Sequence, residues 1–140
     1  MELDREPSAV LLLALEAVVR TEQLAEVRAM IDARLDGFAE QDRWRVALVA
    51  SELTANALAR GGICTGLRIH ELQQVIRIEV DDTDPAPPAP DLGDPEPGLS
   101  LVAAVATDWG YQHLPATTIR NEPGASPIGK TVWCELRIDR

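Results

Sequence analysis

Positive charge is scarce in this 140-residue chain: thirteen Lys and Arg face twenty-three Asp and Glu, for a net charge of -10. That shortage argues against a groove for a phosphate backbone and against attraction to anionic membranes, because both need clustered cations. Neither nucleic acid nor a membrane is an expected partner. A basic protein would suit the charge, although a highly charged soluble surface needs no partner at all. Cysteine is scarce as well. Cys64 and Cys134 are too few and too far apart for a disulfide framework or a zinc site, and are expected as reduced, buried thiols. His70 and His113, far apart in sequence, suggest no metal site either. Long hydrophobic runs are absent: the stretch from Ala9 to Leu15 meets Glu16 at once, is too short to span a bilayer, and lacks a basic leader region. A cytoplasmic protein is the expectation. No internal repeat is visible, and no Gly-x-Gly-x-x-Gly follows the first strand. Gly129-Lys130-Thr131 lacks the glycine-rich loop of a Walker A motif and runs into a strand rather than a helix.

What is present suffices for one domain with a real apolar core, since 46% of the residues are hydrophobic and a chain of this length needs no metal or disulfide staple. Val10 to Val19 is ambiguous, since Val10 to Leu15 could start a helix while Leu15 to Val19 could be a strand; a strand entering the core is the preferred reading. From Glu22, Leu24, Val27, Ile31, Leu35 and Phe38 recur at three and four residues, which predicts an amphipathic helix ending near Gly37. A second helix is expected from Asp42 to Ala59, with Trp44, Leu48 and Ala55 in its buried stripe and Gly61 as its stop. Leu67 to His70 and Val75 to Val80 alternate or are β-branched, and read as strands joined around Glu71 to Gln74. Between Glu79 and Gly98 there are seven acidic residues, six prolines and no lysine or arginine, so this segment reads as a loop. A short buried helix from Leu99 to Ala106, a turn back to a strand at Asp108 to Tyr111, an irregular loop from Pro115 to Pro127 and a closing strand from Lys130 to Ile138 complete the order. Strands and helices mixed in this way predict a two-layer α/β sandwich, a mixed and largely antiparallel sheet covered on one face by helices.

Within the second helix, Glu52 and Asn56 lie one turn apart, just before the break at Gly61-Gly62. Side chains at i and i+4 share a face, so this acid and amide can hold one Mg²⁺-water network or one phosphate ester between them. The plain alternative is that both face solvent, or that Asn56 bonds its own helix.

Four separated pieces stand in a telling order: Ser51-Glu52-Leu53-Thr54-Ala55-Asn56-Ala57-Leu58, then Ile78-Glu79-Val80-Asp81-Asp82-Thr83-Asp84-Pro85, then Gly98-Leu99-Ser100-Leu101-Val102, then Gly129-Lys130-Thr131-Val132-Trp133. The set resembles the histidine-kinase-like ATPases, specifically the small anti-sigma-factor serine-protein kinases and single-domain ATP-binding regulators of actinobacteria. The resemblance implies a Bergerat-type ATP-binding fold over residues 15–140, with 1–14 an N-terminal extension or the start of the first strand. It implies ATP and Mg²⁺ as cofactors, Glu52 as general base or orienter of the attacking hydroxyl, and Asn56 as the Mg²⁺ ligand bridging the phosphates. Phosphoryl transfer asks mainly for positioning and charge neutralisation, which such a pair can supply. The resemblance further implies that Asp82 accepts a hydrogen bond from the adenine amino group and that Gly98 and Leu99 form the phosphate-binding turn at a helix start. Thr131 matches a threonine lining the family's nucleotide pocket, whereas Lys130 reads as a solvated strand residue. Trp109 and Trp133 read as core or rim packing.

Two positions depart from the family pattern. Asp84 stands where Gly or Ser is usual, and Glu96-Pro97 precedes Gly98 where a further glycine and commonly a basic residue are expected. Proline lacks an N–H for a phosphate nest, and glutamate puts like charge near a polyanion. Weak ATP affinity or slow turnover is therefore expected. The function implied is an ATP-binding regulator with serine-protein kinase activity toward an anti-sigma-factor antagonist; the alternative is a non-catalytic protein-binding regulator with a degenerate nucleotide site. A sigma factor, the antagonist and a second copy of the chain are the partners the resemblance implies.

Overall fold

The computed structural model describes residues 9–16, 19–59, 63–84, 86, 97–114 and 129–138. Its five strands are β1 (Ala9–Leu15), β2 (Cys64–Leu72), β3 (Val75–Asp82), β4 (Asp108–Leu114) and β5 (Gly129–Arg137). They form one open sheet in the order β1-β2-β3-β5-β4, with every neighbouring pair antiparallel. The expectation of a mixed sheet is thereby corrected for the described strands. β3 and β4 do run the same way, but β5 lies between them and opposes both, so no parallel ladder forms.

Local chemistry accounts for the turns and edges. β2 and β3 are joined by Gln73 and Gln74, where Gln73 takes a positive φ of 48°, the twist that a two-residue hairpin turn needs. β1 carries an irregularity between Leu11 and Leu13, and the carbonyl of Leu12 accepts a hydrogen bond from Arg34 Nη1 at 3.1 Å. A bulge frees such a carbonyl from the ladder.

Three helices pack on the sheet: α1 (Leu24–Arg34), entered through a 3₁₀ turn at Thr21–Gln23, α2 (Glu40–Ala59) and α3 (Pro97–Val105). α2 lies between α1 and α3 and packs on β3 and β2. α1 stops at Arg34 rather than near Gly37, yet Leu35 and Phe38 continue its buried stripe beyond the helix. The stripe of α2 is Val46, Val49, Ala50, Leu53 and Ala57, while Trp44 is 63% exposed. At 100° per residue, Trp44 lies about 200° from Val46 and faces away from the core. Its expected burial is corrected accordingly.

The core lies between these helices and one sheet face. Ile76, Ile78 and Val80 alternate with half-buried neighbours along β3 and meet Ile69, Leu67, Cys134 and Leu136 of the adjoining strands. Burying each such aliphatic side chain stabilises the fold by roughly 1.5–3 kcal/mol. Cys64 and Cys134 are free, fully buried thiols. Burial pushes both up, Cys134 to about 12, so they are inert packing groups.

The sequence boundary between residues 14 and 15 falls inside β1. The expected loop from Glu79 begins only after Asp82, because β3 runs that far; residues 85 and 87–96 lie outside the described set, as do 115–128.

Candidate functional site

The strand alternation that buries Ile76, Ile78 and Val80 also places Asp82 on the helix-covered face, one step beyond the apolar run. β5 pairs Lys130 directly opposite it. Lys130 shares the parity of Val132, Cys134 and Leu136, all buried. The sequence contains no other lysine. Asp82 is 2% exposed and Lys130 3% exposed, so the expectation of a solvated Lys130 is overturned. The residue type misled; the two-residue period of β5 was the signal that could have found it.

The two side chains form a closed knot. Lys130 Nζ stands 3.2 Å from both Asp82 Oδ1 and Oδ2 and donates to the Asp84 carbonyl at 2.7 Å. The Asp84 N–H donates to Asp82 Oδ1 at 2.8 Å, an Asx-type turn that folds residues 82–84 back on the carboxylate. Thr83 fastens the same turn to the start of β2, donating its N–H to the Ile63 carbonyl at 3.2 Å and accepting the Ile63 N–H on its hydroxyl at 3.0 Å. Gly129 has to be glycine here, because a Cβ would lie 1.9 Å from the Asp82 carbonyl oxygen. Burial pushes the Asp82 carboxyl above its ordinary range, even though the Asp84 N–H and the Lys130 ammonium pull it down. Desolvation of the charge thus outweighs its partners.

α2 brings Asn56 into the protein interior. Asn56 is buried, and its Oδ1 has no hydrogen-bond partner; Ser51 Oγ is in the same condition. Thr54, between them, is satisfied by its own helix, donating to the Ala50 carbonyl at 2.8 Å. A buried acceptor left unpaired costs about 1–3 kcal/mol, so it calls for a donor or a cation. Glu52, one turn before Asn56, is half-buried and lines a shallow pocket of about 130 Å³ with Arg28 of α1 and with Trp44, Ala47, Leu48 and Ser51 of α2.

Gly98 and Leu99 fall in the first turn of α3, which begins at Pro97. Proline at a helix's first position forfeits no intrahelical bond, since that N–H has no partner in any helix. Gly98 and Leu99 thus stand where a helix start presents N–H groups that have no intrahelical partner.

Thr131 is on the other face of the sheet. It pairs with Asp81 in the β3–β5 register and its hydroxyl donates to Asp81 Oδ1 at 2.6 Å. Asp82 and Thr131 therefore point to opposite faces, against the expectation that they line one pocket. The open face is a charged ladder. Arg68 holds Asp81 through two bonds of 2.8 Å and Glu79 at 2.9 Å, while Arg77 holds Glu79 at 2.9 Å and Glu135 at 2.7 Å. The Arg77 guanidinium also lies 4.4 Å from the centroid of the Trp133 ring. Burial pushes Glu79 and Asp81 up, but the guanidiniums prevail, aided at Asp81 by Thr131, and both carboxyls end below their ordinary range.

The arrangement fits a nucleotide in part. Asp82 retains lone pairs for an amino donor, and Asn56 Oδ1 is an unmet acceptor suited to a cation or its water. Among the described residues, no group of three His, Cys, Asp or Glu side chains converges as a metal site, so a Mg²⁺ ion here would draw most of its ligands from phosphates and water.

No known protein family's sequence profile matches the chain, and no curated protein sequence matches it significantly. Among the described residues, no helix is long and apolar enough to cross a membrane.

Proposed function

We propose that the protein is an ATP-binding regulator of the anti-sigma-factor serine-protein kinase type, with a Bergerat-type fold. Asp82 would receive the adenine amino group, and α2 and the start of α3 would hold the phosphates. The observation that carries this reading is the orphaned Oδ1 of Asn56, a buried acceptor held one helical turn from Glu52. That oxygen is shielded from solvent, so a cation reaches it only as the groups over Asn56 move aside. Gly98 and Leu99 offer backbone N–H groups to an anion, reinforced by the positive end of the helix dipole. Glu52 orients the hydroxyl of a substrate protein or takes its proton. Bound Mg²⁺ supplies neutralisation of the phosphate charge.

A second reading, a protein-binding regulator that does not turn over ATP, is favoured by Glu52 itself. The pocket it lines is shared with Arg28 of α1, and Asp82 is not among its lining residues. The Glu96-Pro97 sequence before Gly98 supports the same reading. Under either reading, a sigma factor and its antagonist are the partners, the chain acts as a homodimer, and the setting is the cytoplasm.

Calorimetric titration of the full chain with ATP and Mg²⁺ tests the binding reading. Saturable binding weaker than low micromolar is expected, lost in Asp82→Ala and Asn56→Ala variants that still unfold cooperatively. Absence of binding at millimolar ATP, in wild type and in Lys130→Met alike, overturns it. Labelled ATP with candidate antagonists then separates the two readings: transfer that disappears in Glu52→Ala establishes the kinase, and binding without transfer leaves the regulator.

A further inference from the structure

Lys130 is the one lysine of the sequence, and it is spent on neither the surface nor the open-face ladder. Its ammonium is centred on the carboxylate of Asp82, at 3.2 Å from each oxygen, with the Asp84 carbonyl at 2.7 Å. An ammonium has three donors; one goes to Asp82 Oδ1 and one to the Asp84 carbonyl, with Asp82 Oδ2 in ion-pair range. The geometry points to an internal occupant. We propose that Lys130 plugs the base pocket: in the free protein its ammonium fills the place on Asp82 that a base's amino group would take, and a base enters only by expelling it.

This rests on the nucleotide reading of Asp82. The ammonium holds the carboxylate and the Asp84 carbonyl together. Expulsion of Lys130 frees those two acceptors, while the Asp84 N–H and the two Thr83–Ile63 hydrogen bonds keep the turn in place. The released side chain is long and flexible, and the turn residues it would pass are accessible: Thr83 is exposed and Asp84 half-exposed. The exchange replaces an ammonium–carboxylate ion pair with a hydrogen bond from an uncharged amino donor to the same carboxylate, which forfeits the attraction of the second charge. Nucleotide affinity is correspondingly lowered, and the penalty falls on the base rather than on the phosphates. A base without an exocyclic amino group has nothing to give Asp82 in return for the ammonium and leaves the plug in place.

The single lysine makes the test direct. The intact wild-type chain is exposed to an amine-reactive ester with and without saturating adenosine, and modification of Lys130 is followed by mass spectrometry against the N-terminal amine as an internal standard. Adenosine is expected to speed modification of Lys130 by about tenfold or more, while purine riboside, which lacks the amino group, leaves the rate unchanged. If calorimetry shows adenosine binding while the Lys130 rate stays level or falls, Lys130 is a fixed part of the site and the plug is refuted, with the nucleotide reading intact. Should neither adenosine nor ATP bind wild type, Lys130→Met decides: binding gained in that variant supports the plug, and none in either protein overturns both the nucleotide reading and the plug.

Discussion

On the helix-covered face of the sheet one isolated ion pair, Asp82 with Lys130, ends a run of apolar side chains, whereas on the open face Arg68, Arg77, Glu79, Asp81 and Glu135 form a connected ladder. The strands and the spacing between neighbours are the same; only the surroundings differ. On the inner face the carboxylate is stripped of water and has one cation, so Asp82 is pushed up. On the open face each carboxylate keeps some water and meets more than one donor, so Glu79 and Asp81 are drawn down. Their contributions to stability have opposite signs with pH. The open-face carboxylates stabilise the fold above their ordinary range near 4, and that contribution is lost as pH falls through their lowered values. Asp82 behaves in reverse: relative to an unfolded carboxyl, its contribution is full below that range and is lost as pH rises through its elevated value. The fold thus tolerates a costly charge at one position and gains from charge at several others.

The largest break in this comparison is Lys130→Met. It leaves Asp82 as an unpaired buried charge, a loss of about 3–5 kcal/mol at neutral pH. Because the carboxyl can shed that charge by taking up a proton, the loss should shrink toward pH 5, which denaturant unfolding across pH will read. A constant loss at every pH would mean that Asp82 is not the group responsible. Next in size is Gly129→Ala, where the added Cβ runs into the Asp82 carbonyl oxygen and the adjoining backbone. Backbone cannot swing aside, so a destabilisation of at least about 3 kcal/mol is expected, with the 82–84 turn disturbed.

Arg68→Met tests the open face. One guanidinium serves two carboxylates there, and its removal should cost about 1–2 kcal/mol at pH 7 after allowance for partial solvent screening. The more telling readout is the acid limb. Wild type should lose stability steadily below about pH 4.5 as Glu79 and Asp81 protonate, and the variant should show a flatter limb because both carboxyls return toward ordinary values. An unchanged limb would assign acid sensitivity to other groups.

The elements with strong local periodicity were legible in kind: α2 was expected over Asp42 to Ala59 and runs over Glu40–Ala59, its expected Gly61 stop lying outside the described residues, and the β2–β3 hairpin was expected from two runs joined around Glu71 to Gln74, where the turn itself takes only Gln73 and Gln74. What the sequence hid is non-local. Nothing in the order of residues says that β5 inserts between β3 and β4, and that pairing is what sets Lys130 against Asp82 and Thr131 against Asp81. The candidate site was legible as a set of residue types but not as a set of directions. Thr131 was expected to line the nucleotide pocket, yet adjacent strand residues face opposite ways, and the register gave the position opposite Asp82 to Lys130. Trp44 was misplaced for a related reason: an apolar residue four before Leu48 looks like part of a stripe until the buried set, centred on Val46, Val49 and Leu53, fixes which side is in. The α2 polar pair was visible, but that Asn56 would be buried with an unmet oxygen was not, because its neighbours come from other elements.

The smallest effect provides the sharpest control, because it repeats the Gly129 experiment on the neighbouring strand, where a side chain rather than backbone stands in the way. Gly110 of β4 pairs with Trp133 of β5, and a Cβ added there would lie 2.8 Å from the indole Cζ2 and 3.1 Å from Cε2. The obstructing atoms belong to a side chain, and Trp133 is only half-buried under the Arg77 guanidinium. The ring can tilt toward solvent, giving up part of its cation–π contact but leaving the ladder hydrogen bonds in place. Gly110→Ala should therefore cost only about 1 kcal/mol in denaturant unfolding, with a changed near-UV circular dichroism signal from Trp133. If it cost as much as Gly129→Ala, the Trp133 ring would be held as rigidly as backbone, and the picture of a ladder that shares its face with solvent would fail.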